Sequence, residues 1–250
     1  MAKRNVKLVI QYDGSAYHGW AKQPGAATVQ DTCQRAIKKL VGEDVRVHLV
    51  GASRTDAGVS ALGQVANMKI DTVVPTANFR RALNNILPDD IAILEAVDAP
   101  DKFSAITNAV RKHYRYTIYT GSVRPVLHIK HCWHYHADLD IDAMNAAAEH
   151  IVGKNDFKSF SSSGDHRKNH VRTVFRCEVT EDGDWVYIDV EGDGFVYNMV
   201  RIIAGTLVEV GRGRWQADRV KDIVAACDRT KAGPLAPGSG LCLMRIDFDM

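Results

Sequence analysis

The chain has 250 residues, of which 46% are hydrophobic and 25% charged. That composition is typical of a globular protein with one large domain or two smaller ones. The formal net charge is only +2, so binding to nucleic acid would depend on local basic patches. No apolar run approaches the roughly 20 residues that span a bilayer, and no signal peptide is evident. Five scattered cysteines indicate reduced thiols, which excludes a disulfide framework or a zinc site.

The first predicted elements are a strand at residues 6–12 and a helix that begins at Thr28 and ends at Gly42. Between them, Tyr12, Tyr17 and Trp20 lie among glycines. Such an aromatic cluster could stack on bases. The alternative is a hydrophobic lid over a sheet.

A loop rich in glycine and alanine, residues 51–65, follows a predicted strand at 45–50 and precedes another at 65–70. Small residues allow tight turns and the close approach of a large ligand. The loop carries the carboxylate Asp56 and, two residues earlier, the cation Arg54. It could therefore present one ionised carboxylate to a bulky substrate, or it could be an exposed turn that Asp56 caps.

A short helix around Phe79 and a strand at 91–97 complete a first series of alternating strands and helices. The sequence Ala-Pro-Asp at residues 99–101 is the best candidate boundary. We therefore predict one α+β half at residues 1–100 and a second at 101–250, sharing one extended, mainly antiparallel sheet with helices packed on it.

The strand predicted at 110–120 has a different character on each face. Tyr114, Tyr116 and Ile118 share one face, whereas His113 and Arg115 share the other. Aromatic rings backed by cations could stack a base and hold phosphates. Ordinary cross-strand packing of tyrosines explains the pattern equally well.

Residues 128–136 contain four histidines and Cys132, yet no carboxylate completes a ligand set. We therefore expect a strand there and no metal site. Further along the chain, the pattern predicts a helix at 140–152, a hairpin of strands 172–180 and 185–191, helices at 195–211 and 216–227, and a closing strand at 240–248. A polar loop at 161–171 suits phosphate contacts or simple flexibility, and its cationic side chains are those of His166, Arg167, Lys168 and His170.

The loop at 51–65 reads Gly-Ala-Ser-Arg-Thr-Asp-Ala-Gly-Val-Ser-Ala-Leu-Gly-Gln-Val. It closely resembles the catalytic motif of the TruA family of tRNA pseudouridine synthases. Further blocks resemble the family in the family's order, and they lie at residues 12–20, 83–91, 114–116, 195–205 and 232–241.

This resemblance implies the pseudouridine synthase fold and an isomerase that converts uridine to pseudouridine in the anticodon stem-loop of tRNA, at positions 38, 39 and 40. It implies a cytoplasmic homodimer that needs no cofactor, no metal and no membrane. Asp56 corresponds to the catalytic aspartate and Arg201 to the arginine that pairs with it and keeps it ionised. Arg54 corresponds to a residue that helps to flip the nucleotide out of its helix.

Tyr114 corresponds to the tyrosine that lies against the uracil, and its phenol could remove the proton from C5. The carboxylate could attack C1′ of the sugar or C6 of the base, or assist proton removal from the ribose. The chain departs from many family members at Ser60 and at the pair Ile106 and Thr107, so we expect local RNA contacts there to differ from theirs, with the catalytic set intact. Two other hypotheses are an RNA-binding protein of the same fold without catalysis and a synthase that acts on another uridine.

Overall fold

The computed structural model describes residues 3–165 and 167–249. The chain folds as two compact units. The N-terminal unit runs to Val110 and also includes the chain from Leu243 onward, and the C-terminal unit runs from Arg111 to Cys242. Both units combine strands with helices, so the α+β prediction is confirmed.

The N-terminal unit is built on a sheet with the strand order β4-β1-β3-β10 and a short strand β2 on β3. Strand β1 pairs antiparallel with both of its neighbours, β3 and β4. The elements are β1 (Arg4–Tyr12), α1 (Val29–Val41), β2 (Val50–Gly51), β3 (Ser60–Ile70), α2 (Thr76–Asn84), β4 (Ile91–Ala99) and β10 (Leu241–Phe248).

Helix α1 has the predicted bounds, and it ends at Gly42, whose φ of 114° favours glycine. The strand predicted at 45–50 is wrong except for its last residue. Leu49 is fully buried without being part of a strand. Its carbonyl accepts from Gln30 at 2.7 Å and its amide donates to Gln34 at 3.1 Å. Side chains of α1 thus replace the strand partners that this segment would otherwise need.

The C-terminal unit has the strand order β5-β9-β8-β7, with β6 pairing parallel to β5. The β8–β9 hairpin is antiparallel and turns after Asp182, as predicted. The elements are β5 (Ala109–Tyr119), β6 (Trp133–His134), α3 (Ile141–Glu149), β7 (Gly153–Asp156), β8 (Val171–Asp182), β9 (Trp185–Gly192), α4 (Met199–Gly211) and α5 (Arg219–Ala226).

Helix α4 is buried along its length in the C-terminal unit, and Arg201 is the one residue of the helix that is not buried. The helix begins at Met199, four residues later than predicted, because Asn198 adopts a left-handed φ of 64°. The predicted strand at 128–136 is also wrong for most of its length, since only Trp133–His134 pairs with β5.

Cys33, Cys132 and Cys177 are buried, and none of the five cysteines, all of which lie in the described part of the chain, forms a disulfide bond. Within residues 3–165 and 167–249, no helix is long and apolar enough to cross a membrane.

Candidate active site

Hydrogen bonds from strand β3 hold the backbone of the loop between β2 and β3. Gln64, which is fully buried, donates from its side-chain amide to the carbonyl of Ser53 at 2.6 Å and accepts from the Ser53 amide at 3.2 Å. The amide of Ala52 donates to the carbonyl of Val65 at 2.8 Å. A strand side chain thus mimics a backbone partner and holds the loop in an extended path.

The aromatic block that follows β1 forms the other support of this loop. The Tyr12 and Thr55 hydroxyls lie 2.8 Å apart, and the Trp20 amide donates to the Thr55 carbonyl at 3.0 Å. The Trp20 ring packs directly on Gly51, where a Cβ would lie 2.4 Å from the ring. Tyr12 and Trp20 are only 3% and 2% exposed. This burial favours the lid over the base-stacking alternative.

Asp56 and Arg54 lie on the outer side of the loop. Ser53 and Thr55 are buried, whereas Arg54 is exposed and Asp56 half-buried, so the side chains alternate as in a strand. A turn follows immediately, in which the Val59 amide donates to the Asp56 carbonyl at 3.2 Å. The buried, hydrogen-bonded Thr55 on one side and the turn to the buried Val59 on the other therefore hold Asp56 in place in the loop.

Tyr114 lies on β5 in the C-terminal unit and is 5% exposed. Its ring meets that of Phe195 edge to face, with the centroids 5.3 Å apart. Tyr116 is fully buried on the same face and donates its hydroxyl to the carbonyl of Pro237 at 2.8 Å. The predicted shared face of Tyr114, Tyr116 and Ile118 is confirmed.

The opposite face of β5 carries cations that are already paired. Arg115 donates to both carboxylate oxygens of Asp189, at 2.9 and 3.0 Å, and His113 contacts the same carboxylate at 2.6 Å. Burial raises the pKa of Asp189, but the hydrogen bonds from His113 and Arg115 outweigh it and lower that pKa to about 2. The Asp189 carboxylate thus neutralises cations that the sequence offered for phosphate binding.

Arg201 leaves the first turn of α4, and its guanidinium donates hydrogen bonds to neighbouring residues. Its Nε donates to the carbonyl of Ala236 at 2.8 Å, and a terminal nitrogen donates to Asn198 Oδ1 at 3.0 Å. The Ala236 amide donates back to the Arg201 carbonyl at 3.3 Å. A planar guanidinium held in this way has a defined direction.

The 232–241 segment packs against α4 through glycines on both sides. A Cβ on Gly205 would lie 1.9 Å from the carbonyl oxygen of Pro234, and one on Gly233 would lie 2.6 Å from Cα of Thr206. The Gly233 amide donates to the Thr206 hydroxyl at 3.0 Å. Only glycine permits such close backbone contact, and this contact places Ala236 beside Arg201.

Asp165 organises the polar loop at 161–171 and was not predicted. Its carboxylate is 5% exposed and accepts from the Tyr197 amide at 3.0 Å, from Ser161 at 2.9 Å and from Arg167 at 3.1 and 3.2 Å. Burial raises the pKa of Asp165, but the backbone amides of Tyr197 and Arg167 outweigh it and lower the pKa to about 2. His166, which was part of the predicted basic loop, lies outside the described residues.

Asn198 links this loop to Arg201. Its side-chain amide donates to the Ser162 hydroxyl at 2.8 Å while its oxygen accepts from Arg201. Asparagine tolerates the left-handed conformation better than most residues. The presence of an asparagine at position 198 was therefore the sequence signal for this turn. The link from Asp165 to the start of α4 gave no local signal, because its partner there, Tyr197, lies 32 residues away.

The histidine-rich segment is held by ring contacts. His134 Nε2 lies 2.8 Å from the carbonyl of Gly121, and its ring is 3.9 Å from that of His136. Among residues 3–165 and 167–249, no group of three His, Cys, Asp or Glu side chains is placed to hold a metal ion.

Two of the predicted catalytic residues, Asp56 and Arg54, thus lie on one loop of the N-terminal unit. Tyr114 and Arg201 lie in the C-terminal unit, on β5 and α4. Tyr114 is closely packed, Arg201 is hydrogen-bonded to its neighbours, Asp56 is half-buried and Arg54 is exposed. Their action at a single centre stays a prediction.

A family model described as tRNA pseudouridine synthase matches residues 8–107 and 147–249 of this chain. Curated relatives named tRNA pseudouridine synthase A are similar over nearly the whole length. The protein from Thermoanaerobacter sp. (strain X514) is 46% identical over 245 residues, which is 98% of this chain and 100% of the relative. Those from Geotalea uraniireducens and Acetivibrio thermocellus are 46% and 47% identical with the same coverage.

Proposed function

Because this chain belongs to the tRNA pseudouridine synthase family and is a pseudouridine synthase, we propose that its substrate is the anticodon stem-loop of tRNA. The target uridines are those at positions 38, 39 and 40. The observation that carries the proposal is the fixed loop that presents Asp56 and Arg54 outward. Its rigidity suits a group that must meet a nucleotide in one orientation.

The reaction is an isomerisation with no net gain or loss of atoms. The bond between C1′ and N1 breaks, the uracil turns, and a bond forms between C1′ and C5. C5 then loses a proton and N1 gains one. Asp56 is the nucleophile of this proposal, and its carboxylate stabilises the detached sugar or base covalently.

The other three residues prepare and complete this step. Arg54, exposed beside Asp56, fills the space that the flipped nucleotide leaves in the stem. Tyr114 lies against the uracil and accepts the C5 proton. Arg201, aimed by Ala236 and Asn198, pairs with the carboxylate and keeps it ionised.

We propose further that the enzyme acts as a cytoplasmic homodimer. Several large apolar side chains of the segment before β6 are exposed, among them Val123 at 74% and Leu127 at 89%. Exposed apolar clusters of this kind mark association surfaces. Sedimentation of the purified protein tests the dimer, and a monomer at micromolar concentration would contradict it.

Tritium release from tRNA labelled with [5-³H]uridine tests the catalytic proposal. Asp56→Asn is expected to abolish release while tRNA binding stays close to that of the wild type. Asp44→Asn, an exposed carboxamide substitution in the same unit, is the matched control and should stay active. Tritium release that persists in Asp56→Asn would reject Asp56 as the nucleophile.

The choice of uridine needs a separate measurement. Mapping of modified positions in tRNA after the reaction is expected to find pseudouridine at 38, 39 and 40 only. Modification elsewhere, with the same dependence on Asp56, would indicate a synthase for another uridine. Binding without any tritium release from the wild type would favour the non-catalytic alternative.

A further inference from the structure

A lysine lies beside Tyr114 on the same face of β5. Lys112 precedes Tyr114 by two residues, a separation of about 6.6 Å along a strand. Lys112 is half-buried and lies opposite Gly192 in the pairing of β5 with β9. The Phe195 ring, which contacts Tyr114, packs over Gly192 and would lie 3.4 Å from a Cβ there. Lys112 thus borders the ring on which the uracil is proposed to lie.

Two arginines flank the same turn at residues 192–195. A terminal nitrogen of Arg167 donates to the carbonyl of Phe195 at 3.4 Å and to Asp165 at 3.2 Å. A terminal nitrogen of Arg172 donates to the carbonyl of Val171 at 2.6 Å. Its Nε lies 3.5 Å from the position that a Cβ of Gly194 would take. Backbone carbonyls hold both guanidinium groups in place before any ligand arrives.

These three cations act on one another. Burial, and then the positive charges of Arg167 and Arg172, lower the pKa of Lys112 to about 8. The like charges of Arg167 and Arg172 disfavour the charged form of Lys112, and a phosphate bound among the three cations would relieve that repulsion. Such local conflicts are concentrated where a ligand supplies the opposite charge.

We infer that Lys112, Arg167 and Arg172 bind a backbone phosphate of the substrate RNA next to the flipped uridine. The inference rests on the proposed function, because it places this phosphate relative to the uracil on Tyr114. Arginine matches the geometry of a phosphate with paired N–H donors, and lysine adds a point charge. A phosphate held here would fix the nucleotide's backbone while its base turns.

The salt dependence of tRNA binding tests the site. Lys112→Met, Arg167→Gln and Arg172→Gln each remove one cation, and methionine suits the half-buried position of Lys112. Each is expected to weaken binding and to reduce the slope of log K against log [KCl] by about 0.7 to 0.9. Lys221→Met, at an exposed position of α5, is the matched control and should keep the wild-type slope. Slopes equal to that of the wild type in all three variants would overturn the inference.

Chemical neutralisation of the phosphate locates the contact. Stem-loops with one methylphosphonate on either side of the target uridine are expected to bind the wild type more weakly at one linkage. At that linkage, Lys112→Met should lose no further affinity, because both changes remove the same contact. Losses that add fully at both linkages would place Lys112 elsewhere. Tritium release by the wild type distinguishes this failure from a failure of the proposed function.

Discussion

The Tyr12 and Thr55 hydroxyls, 43 residues apart in sequence, lie 2.8 Å apart in the N-terminal unit. This contact joins the aromatic block after β1 to the residue that precedes Asp56. A buried hydroxyl that loses its partner costs about 1–3 kcal/mol. Tyr12→Phe should therefore lower the free energy of unfolding by about that amount and also slow tritium release.

Urea unfolding and single-turnover tritium release measure the two effects of Tyr12→Phe. The matched control is Tyr17→Phe, since the Tyr17 hydroxyl contacts Asp90 at 2.7 Å and not the Asp56 loop. It should lose stability with a much smaller change in rate. Equal rate losses in the two variants would show that the rate follows stability alone.

Gly19 lies directly beneath the Asp56 loop and is expected to tolerate no side chain. Its φ is +88°, and a Cβ would lie 2.4 Å from the Thr55 carbonyl and 3.2 Å from that of Asp56. Gly19→Ala should displace the loop, with a loss of more than about 2 kcal/mol in stability and most of the activity. Gly25→Ala separates strain from collision, because Gly25 has a φ of +72° and no atom within 4 Å of a Cβ. The prediction is wrong if both variants behave alike in urea unfolding and tritium release.

We expect the orientation of the Arg201 guanidinium to matter for turnover as well as its charge. The ammonium group of a lysine cannot donate to Ala236 and Asn198 in the planar geometry of a guanidinium. Arg201→Lys should therefore lose most of its turnover, with tRNA affinity nearly intact. Arg201→Ala should lose more turnover, again with little change in affinity. Filter binding and tritium release check both variants, and an equal loss of binding and turnover would make Arg201 a phosphate contact only.

Asn198→Gly tests the orientation of the Arg201 guanidinium without changing its charge. Glycine accepts the left-handed backbone of this position but cannot contact Arg201 or Ser162. We expect a folded protein whose kcat falls several-fold while KM changes little. A wild-type kcat would show that the Asn198 contact is not needed to orient the Arg201 guanidinium.

Sequence patterns predicted those elements whose signals are local. Helix α1 and the β8–β9 hairpin follow from apolar periodicity and from Gly42 and Gly183 at their ends. The segment at 45–50 was mistaken for a strand because apolar and β-branched residues also occur in buried, irregular backbone, whereas the segment at 128–136 is mostly exposed and pairs with β5 only at Trp133–His134. At Leu49 the deciding partners are side chains of α1, which periodicity does not reveal.

The residues of the candidate site also differ in how well the sequence predicts them. Asp56 and Arg54 stand out because their loop is a long, specific motif. The groups that hold the site residues come from distant parts of the chain. Gln64 contacts Ser53 across 11 residues and Arg201 contacts Ala236 across 35. No local pattern predicts such pairs, so the support of the site emerges only from the fold.

Asp189 should make the C-terminal unit sensitive to acid. Its lowered pKa of about 2, against an ordinary value of 3.8, means that the charged form stabilises the fold. This stabilisation is complete above pH 4 and is lost as the pH falls through about 2. A difference of this size corresponds to about 2 kcal/mol.

Asp189→Asn should therefore lower the free energy of unfolding by about 2–4 kcal/mol at pH 6, because it also leaves His113 and Arg115 without their buried counter-charge. The deficit relative to the wild type should shrink between pH 4 and pH 2, where the wild-type carboxylate takes up its proton. Urea unfolding across this range measures it, with Asp182→Asn at the exposed end of the same hairpin as the control. A deficit that stays constant with pH would mean that packing of Asp189, rather than its charge, stabilises the sheet.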